Sequence, residues 1–371
     1  MILLQQIING LTAGTLFALV AIGYTMVYGI IELINFAHGD LFMLGAFLAL
    51  SLVGDMSLAA AGTPMPFRVL LAVSAPFFLL GLLSPPAALR RRVAGPAWVA
   101  SLISGPLAAL AFLFAVLMGR WIVAAPAGAP AGDGRVALGL IYIFLVCMTF
   151  CAALNAAVDR VVYKPLRGAP KLTPLVSAIG VSFVFMGLGQ VWKGVADIDF
   201  PDLLPDRNFG GESLQFTFKD LFVFLVTVPL MAALTVFVKF TKLGKAMRAV
   251  AQNPVAAQLM GINVDRVISV TFLIGGALAG AAAVIYGLWV KTVSFQMGYQ
   301  NGLYAFTAAV LGGIGNLPGA MLGGLVIGLV RSLGSMYVGE QWTSALVFGI
   351  LILILVFRPT GLLGARTREK V

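Results

Sequence analysis

The chain has 371 residues, of which 60% are hydrophobic and only 10% charged, against roughly 45–50% and about 25% in soluble domains. With a mean hydropathy of +1.02, one soluble core cannot enclose that much apolar surface, and disordered, collagen-like and disulfide-framed chains are excluded as well. The net charge of +10 would suggest nucleic acid in a soluble protein, but in a membrane chain it reads as basic loops on the cytoplasmic face.

Uncharged runs long enough to cross ~30 Å of hydrocarbon are 1–31, 69–89, 97–119, 136–158, 172–192, 221–238 and 267–290, with a last one at 341–357. The run 41–54 is short and spans only if it borrows from 37–40. The stretch 292–330 carries no charge, and at 1.5 Å per residue its ~58 Å suffices for two crossings. Gly312-Gly313-Ile314-Gly315-Asn316-Leu317-Pro318-Gly319 is the turn between them. The fold class is therefore all-α: a polytopic helical membrane protein of about eleven spans.

The first interruption is Glu32-Leu33-Ile34-Asn35-Phe36-Ala37-His38-Gly39-Asp40, which holds the only histidine. It reads either as a cytoplasmic turn with Asn35 as a helix cap or as a broken helix whose freed backbone groups line an aqueous path. Ionisable residues inside spans mark functional sites, so Glu32, Asn35, Phe36, His38 and Asp40 are the candidate path residues. Cys147 and Cys151 stand four apart on one helix face with no metal-ligating company, which reads as small apolar packing.

Positive charge gathers in Arg90-Arg91-Arg92, in Arg160, Lys164, Arg167 and Lys171, in the loop 239–266, and in the tail with Arg358, Arg366, Arg368 and Lys370. If all four are cytoplasmic, an even number of spans must separate neighbours, and it does. The amino terminus then lies outside and the carboxyl terminus inside. The loop 193–220, net acidic with Asp197, Asp199, Asp202, Asp206, Glu212 and Asp220, faces outward. No signal peptide is expected, since Met1-Ile2-Leu3-Leu4-Gln5-Gln6 has no basic region. Arg331, near the end of its span, reads as a side chain snorkelling to the outer surface. Glycine, 43 residues, recurs at small-xxx-small spacing in Gly10/Gly14, Gly276/Gly280, Gly319/Gly323 and Gly324/Gly328, as in tightly packed membrane bundles.

In the loop 239–266, Asn253 is a good N-cap, Pro254 suits the first helical position and Gly261 suits the residue after the end. A short helix over Pro254–Met260 is predicted, with Val255, Ala256, Leu259 and Met260 on one face. Arg248 precedes it and is placed to pair with a carboxylate on a partner. A capped, apolar-faced helix in a basic cytoplasmic loop docks into a partner's groove or lies on lipid. No P-loop, HExxH, CxxC or GxSxG motif occurs, so no catalytic or metal-binding residue is assigned. An alternative reading is a proton-coupled secondary transporter with Glu32, His38 and Asp40 as a relay.

Three segments carry a family resemblance: Ala21 through Asp40, Gly261-Ile262-Asn263-Val264-Asp265-Arg266, and Ala305 through Ala320 together with Arg358 through Gly364. The chain resembles the permease subunits of bacterial branched-chain amino acid ABC importers, over roughly 1–55 and 136–366. The resemblance implies nine core spans in a single transmembrane domain, with 56–135 an inserted two-span hairpin and 239–266 the ATPase-coupling loop. It implies a second permease subunit, two cytoplasmic ATPase subunits that use ATP and Mg, and an external substrate-binding protein, in the bacterial cytoplasmic (inner) membrane. It also implies no cofactor on this chain and no nucleic acid, and it places Arg248, Asn253, Pro254, Val255, Leu259, Met260 and Gly261 at the coupling contact. Related permeases serve urea or short-chain amides. Glu32 stands where an apolar or small residue is expected in the family.

Overall fold

The computed structural model describes residues 2–31, 33–60, 67–83, 97–123, 134–170, 172–210, 214–358 and 360–364. Its helices are α1 (Ile2–Ile31), α2 (Ala37–Ala60), α3 (Phe67–Leu83), α4 (Ala97–Val123), α5 (Gly134–Val158, continued to Leu166), α6 (Leu172–Lys193), α7 (Phe218–Phe240), α8 (Lys242–Gln252), α9 (Pro254–Leu259), α10 (Val264–Val290), α11 (Met297–Gly312), α12 (Leu317–Tyr337) and α13 (Glu340–Phe357). Two short strands, β1 (Ile198–Asp199) and β2 (Thr292–Val293), pair antiparallel. Among the described residues, eight helices are long and apolar enough to cross a membrane. A bilayer leaves backbone groups no partner but their own helix, which is why apolar runs of this length become helices.

The short run after the first interruption does borrow from 37–40: α2 begins at Ala37, and its membrane-length stretch is Ala37–Asp55. The turn at Gly312–Gly319 falls as expected, between α11 and α12. The run 292–311 differs from expectation. Its first residues form β2 and a turn, so α11 keeps 16 residues, ~24 Å of helix.

The chain divides into two compact units. One comprises Met1–Asp40, Pro205–Thr271 and Gln296–Val371. In it α1 and α12 run antiparallel with glycine against glycine. A Cβ added to Gly14 would stand 2.8 Å from Leu325 Cα, and one on Gly10 3.0 Å from Leu329 Cα. One on Gly328 would fall on the Gly10 carbonyl and Gly14 Cα. Gly319 and Gly323 bring α12 equally close to Gly312 and Ala308 of α11. Small residues let helix backbones approach where lipid gives no hydrophobic drive for association. The loop before α7 is tied back by Thr217 N–H donating to Asp220 Oδ2 at 2.9 Å, and by the Gln5 side chain bonding Gln215.

The other unit comprises Leu41–Leu204 and Phe272–Phe295. Here Gly276 and Gly280 of α10 lie on the α5 backbone at Cys151 and Cys147. Both thiols are free and buried, as packing residues should be. Asn155 donates to the Phe272 carbonyl at 2.6 Å, and α5 widens to a π-helix at Asp159–Tyr163, where Asp159 meets Arg167 at 2.6 Å. The helices α3 and α4 pack chiefly on each other and on α5, with Phe77 stacked on Phe112 and Tyr142 donating to the Val116 carbonyl. Lys291, with φ 62°, turns the chain from α10 into β2 and pairs with Asp202.

Candidate functional site: the helix break and the coupling hairpin

The helix α1 ends at Ile31 and α2 starts at Ala37, so the polar cluster is a break between two apolar helices. Within it Asn35, His38 and Asp40 are buried, and Leu33, Ile34 and Phe36 are half-buried. Glu32 lies outside the described residues. The break closes with His38 N–H donating to the Asn35 carbonyl at 3.1 Å.

Glycines admit the side chains. A Cβ on Gly23 would occupy the place of the His38 imidazole, and one on Gly39 would stand 2.5 Å from the Gly298 carbonyl oxygen. The first turn of α2 therefore lies directly on the first turn of α11, and a Cβ on Gly298 would be 2.8 Å from Asp40 Oδ1. The His38 ring meets Tyr24 edge-on at 4.9 Å, Tyr24 meets Phe306 at 6.2 Å, and Phe306 meets Phe36 at 5.6 Å. The structure thus joins Phe36 and His38 through residues that the sequence reading did not single out.

Beside this aromatic group is a small pocket lined by Tyr24, Thr25, Tyr28, Ile34, Phe306, Ala309, Val310 and Ile314. Its polar groups are few. Elsewhere in this unit helix hydroxyls bond their own backbone: Thr12 to Ile8, Thr227 to Val223, Thr307 to Leu303. Thr25 Oγ1, which lines the pocket, is buried with no hydrogen-bond partner. The His38 nitrogens likewise lack a partner in hydrogen-bond geometry, although the Val20 carbonyl lies within electrostatic reach. A buried unsatisfied polar group costs ~1–3 kcal/mol, so the break concentrates unspent polarity at one place. The sequence signal for these residues was Tyr24 and Tyr28 at i,i+4 on an uncharged helix.

The second candidate is the hairpin α8–α9. Thr241 Oγ1 caps α8 by accepting from Gly244 N–H at 3.0 Å. Met247 and Val250 bury one face of α8 while Lys242, Lys245 and Arg248 stay exposed. Asn253 Oδ1 accepts from Val255 and Ala256 N–H, both at 3.0 Å, with Pro254 next to it. The helix is one residue shorter than expected, Pro254–Leu259, and Met260 is its C-cap. Gly261 at φ 81° closes it, with Ile262 N–H to Ala257 O and Gly261 N–H to Gln258 O, the Schellman pattern. Ala257 anchors the inner side, whereas Val255, Leu259 and Met260 face outward, Leu259 at 85% exposure. Arg248 donates to the Lys239 carbonyl at 3.1 Å, so it braces the hairpin's own neck.

Arg331 is half-buried beside two aromatic rings. Its guanidinium lies over the rings of Phe17 and Tyr304. It also stands 3.7 Å from Glu340, on the first turn of α13. Among the described residues no group of three or more His, Cys, Asp or Glu could hold a metal ion.

The sequence profile described as "Branched-chain amino acid transport system / permease component" matches residues 6–356. The chain is 36% identical to the high-affinity branched-chain amino acid transport system permease protein BraD of Pseudomonas aeruginosa, over 99% of this chain and 98% of the relative. It is 33% identical to the permease protein LivH of Salmonella typhimurium, over 99% and 97%. A more distant relative is the autoinducer 2 import system permease LsrD of Escherichia coli, 26% identical over 65% of this chain and 77% of the relative. No solved structure matches the chain. With a bundle of membrane-length helices and a match across almost its whole length, this multi-pass membrane protein belongs to the family of branched-chain amino acid transport permeases.

Proposed function

We propose that the chain is the membrane-spanning half of an ATP-driven importer that moves branched-chain amino acids across the cytoplasmic membrane, through a path passing the break at Asn35–Asp40. The observation that carries this reading is the pocket beside the break. Its lining is aliphatic and aromatic with no charged residue, and Tyr24, Thr25 and Tyr28 are its hydroxyl-bearing members. In this reading Asn35, Phe36, His38 and Asp40 form the path. A second permease completes it, two cytoplasmic ATPase subunits consume ATP with Mg, and an external binding protein delivers the substrate. The chain itself carries no cofactor.

Substituting Asn35, Phe36 or His38 with alanine is expected to lower initial leucine uptake by about tenfold while the subunits still co-purify. That is the effect of removing one buried polar or packing contact of ~1.4 kcal/mol from the transport barrier. Uptake in proteoliposomes with the complete importer measures it. Unchanged uptake in all three would remove the break from the path, and uptake of urea but no branched-chain amino acid would reassign the substrate.

The same reading places the amino terminus outside and the carboxyl terminus inside, with eleven spans once α3, α4 and α11 are counted as crossings. The segment 56–135 is then an inserted hairpin at the edge of the 1–55 and 136–366 core. Because the native thiols of Cys147 and Cys151 are both buried, single new cysteines report sidedness without background. Cysteine at Asp199 should react with an impermeant maleimide from outside and cysteine at Lys245 only after permeabilisation. Labelling from the same side would break the loop-parity argument.

A further inference from the structure

Arg331 is the only charged residue of α12. Its guanidinium carbon lies 5.7 Å from the Phe17 ring centre and 5.2 Å from that of Tyr304. The two rings meet at 5.5 Å, and Tyr304 is fixed by a 2.8 Å hydrogen bond between its hydroxyl and Ser344 Oγ. Cation–aromatic attraction holds a guanidinium by its faces and leaves its five N–H donors free. Among the described residues its one charged partner is Glu340, on the first turn of α13. Arg331 Nη2 stands 3.7 Å from Glu340 Oε1, beyond hydrogen-bond reach. The Arg331 side chain is 31% exposed and that of Glu340 71%. So a cation is positioned, its donor fork is unspent, and an exposed carboxylate stands beside it.

That combination matches the head of an α-amino acid. A carboxylate takes two parallel N–H···O bonds from one guanidinium, and an ammonium group pairs with the displaced Glu340. Phe17 lies two helical turns from Tyr24 on the same face of α1, and Tyr24 lines the pocket at the break. We propose that Arg331 and Glu340 form an outer recognition site for the zwitterionic head of an amino acid, ahead of the pocket at Tyr24. This deepens the importer reading and rests on it.

The test uses the full-length permease in lipid nanodiscs and saturation-transfer NMR with L-leucine. The probes are 3-methylbutylamine, which lacks the carboxylate, and 4-methylpentanoate, which lacks the ammonium group. Wild type should show a leucine signal well above that of the amine. Arg331→Gln and Arg331→Lys should both lower it by about tenfold, since lysine keeps the charge but not the fork. Glu340→Gln should weaken leucine while leaving 4-methylpentanoate unchanged. Equal leucine signals in wild type and both Arg331 variants would overturn the proposal. So would no leucine signal in wild type, or full signal in Arg331→Lys with loss only in Arg331→Gln, which would make the residue a strut between helices. Leucine uptake by the wild-type importer is measured in parallel: transport without the binding effect sinks this site alone, whereas absence of branched-chain uptake sinks the reading beneath it.

Discussion

Replacing Leu259 with aspartate is expected to weaken association with the ATPase subunits by at least about tenfold, because burying one leucine is worth ~1.5–3 kcal/mol and ~1.4 kcal/mol is already tenfold. The carboxylate adds to the loss, since an unpaired charge is costly to bury. The effect should be confined to the contact. Leu259 is 85% exposed, and the helix it sits on is held by Asn253, Ala257 and Gly261, none of which changes. Val255 and Met260 share the outward side, and their replacement should act in the same direction. Co-purification of ATPase with the variant is the measurement, with substrate-stimulated ATP hydrolysis as a second readout. Undiminished recovery and normal hydrolysis would mean that the hairpin is not where force enters the membrane helices.

The second large effect is expected in the packing of α1 on α12. Gly328→Ala places a methyl group on the Gly10 carbonyl and Gly14 Cα, which are backbone atoms with no rotamer to yield. Overpacking a close interface costs ~1–3 kcal/mol, occasionally more. Two helix backbones must separate here to relieve it, so thermal stability in detergent should fall by several degrees and yield should drop. Gly349→Ala in α13 is the matched control: its added Cβ meets nothing within 4 Å, and alanine favours helix over glycine by ~0.8–1.0 kcal/mol. That variant should melt at or above the wild-type temperature. Equal melting of the two would show that the glycine contact does not govern stability.

Much of this was legible before any coordinates. Hydropathy locates most of the helices because the bilayer permits little else. The α9 boundaries follow from three residues, Asn253, Pro254 and Gly261, whose backbone preferences are local. The α11–α12 turn follows from its glycines and Pro318. What could not be read is orientation about the helix axis. A helix that is apolar all round has no polar stripe to say which side faces a neighbour, so nothing in the sequence placed Thr25 in a pocket or Gly23 against His38. Arg331 shows the same limit: its distance from the helix end is written in the sequence, but the rings of Phe17 and Tyr304 beside it are brought there by two other helices.

The hydroxyl groups of the bundle carry a consequence for energy conservation. Thr12, Thr15, Thr227, Thr235, Thr307 and Thr343 each donate to a carbonyl of their own helix. A proton hopping through a protein needs successive groups that can both give and receive, and hydroxyls committed in this way interrupt such a chain. Beside the path proposed at the break, helices with hydroxyls committed in this way would resist proton hopping. An importer built so can open a route for a neutral zwitterion without short-circuiting the proton gradient that the cell maintains across the same membrane.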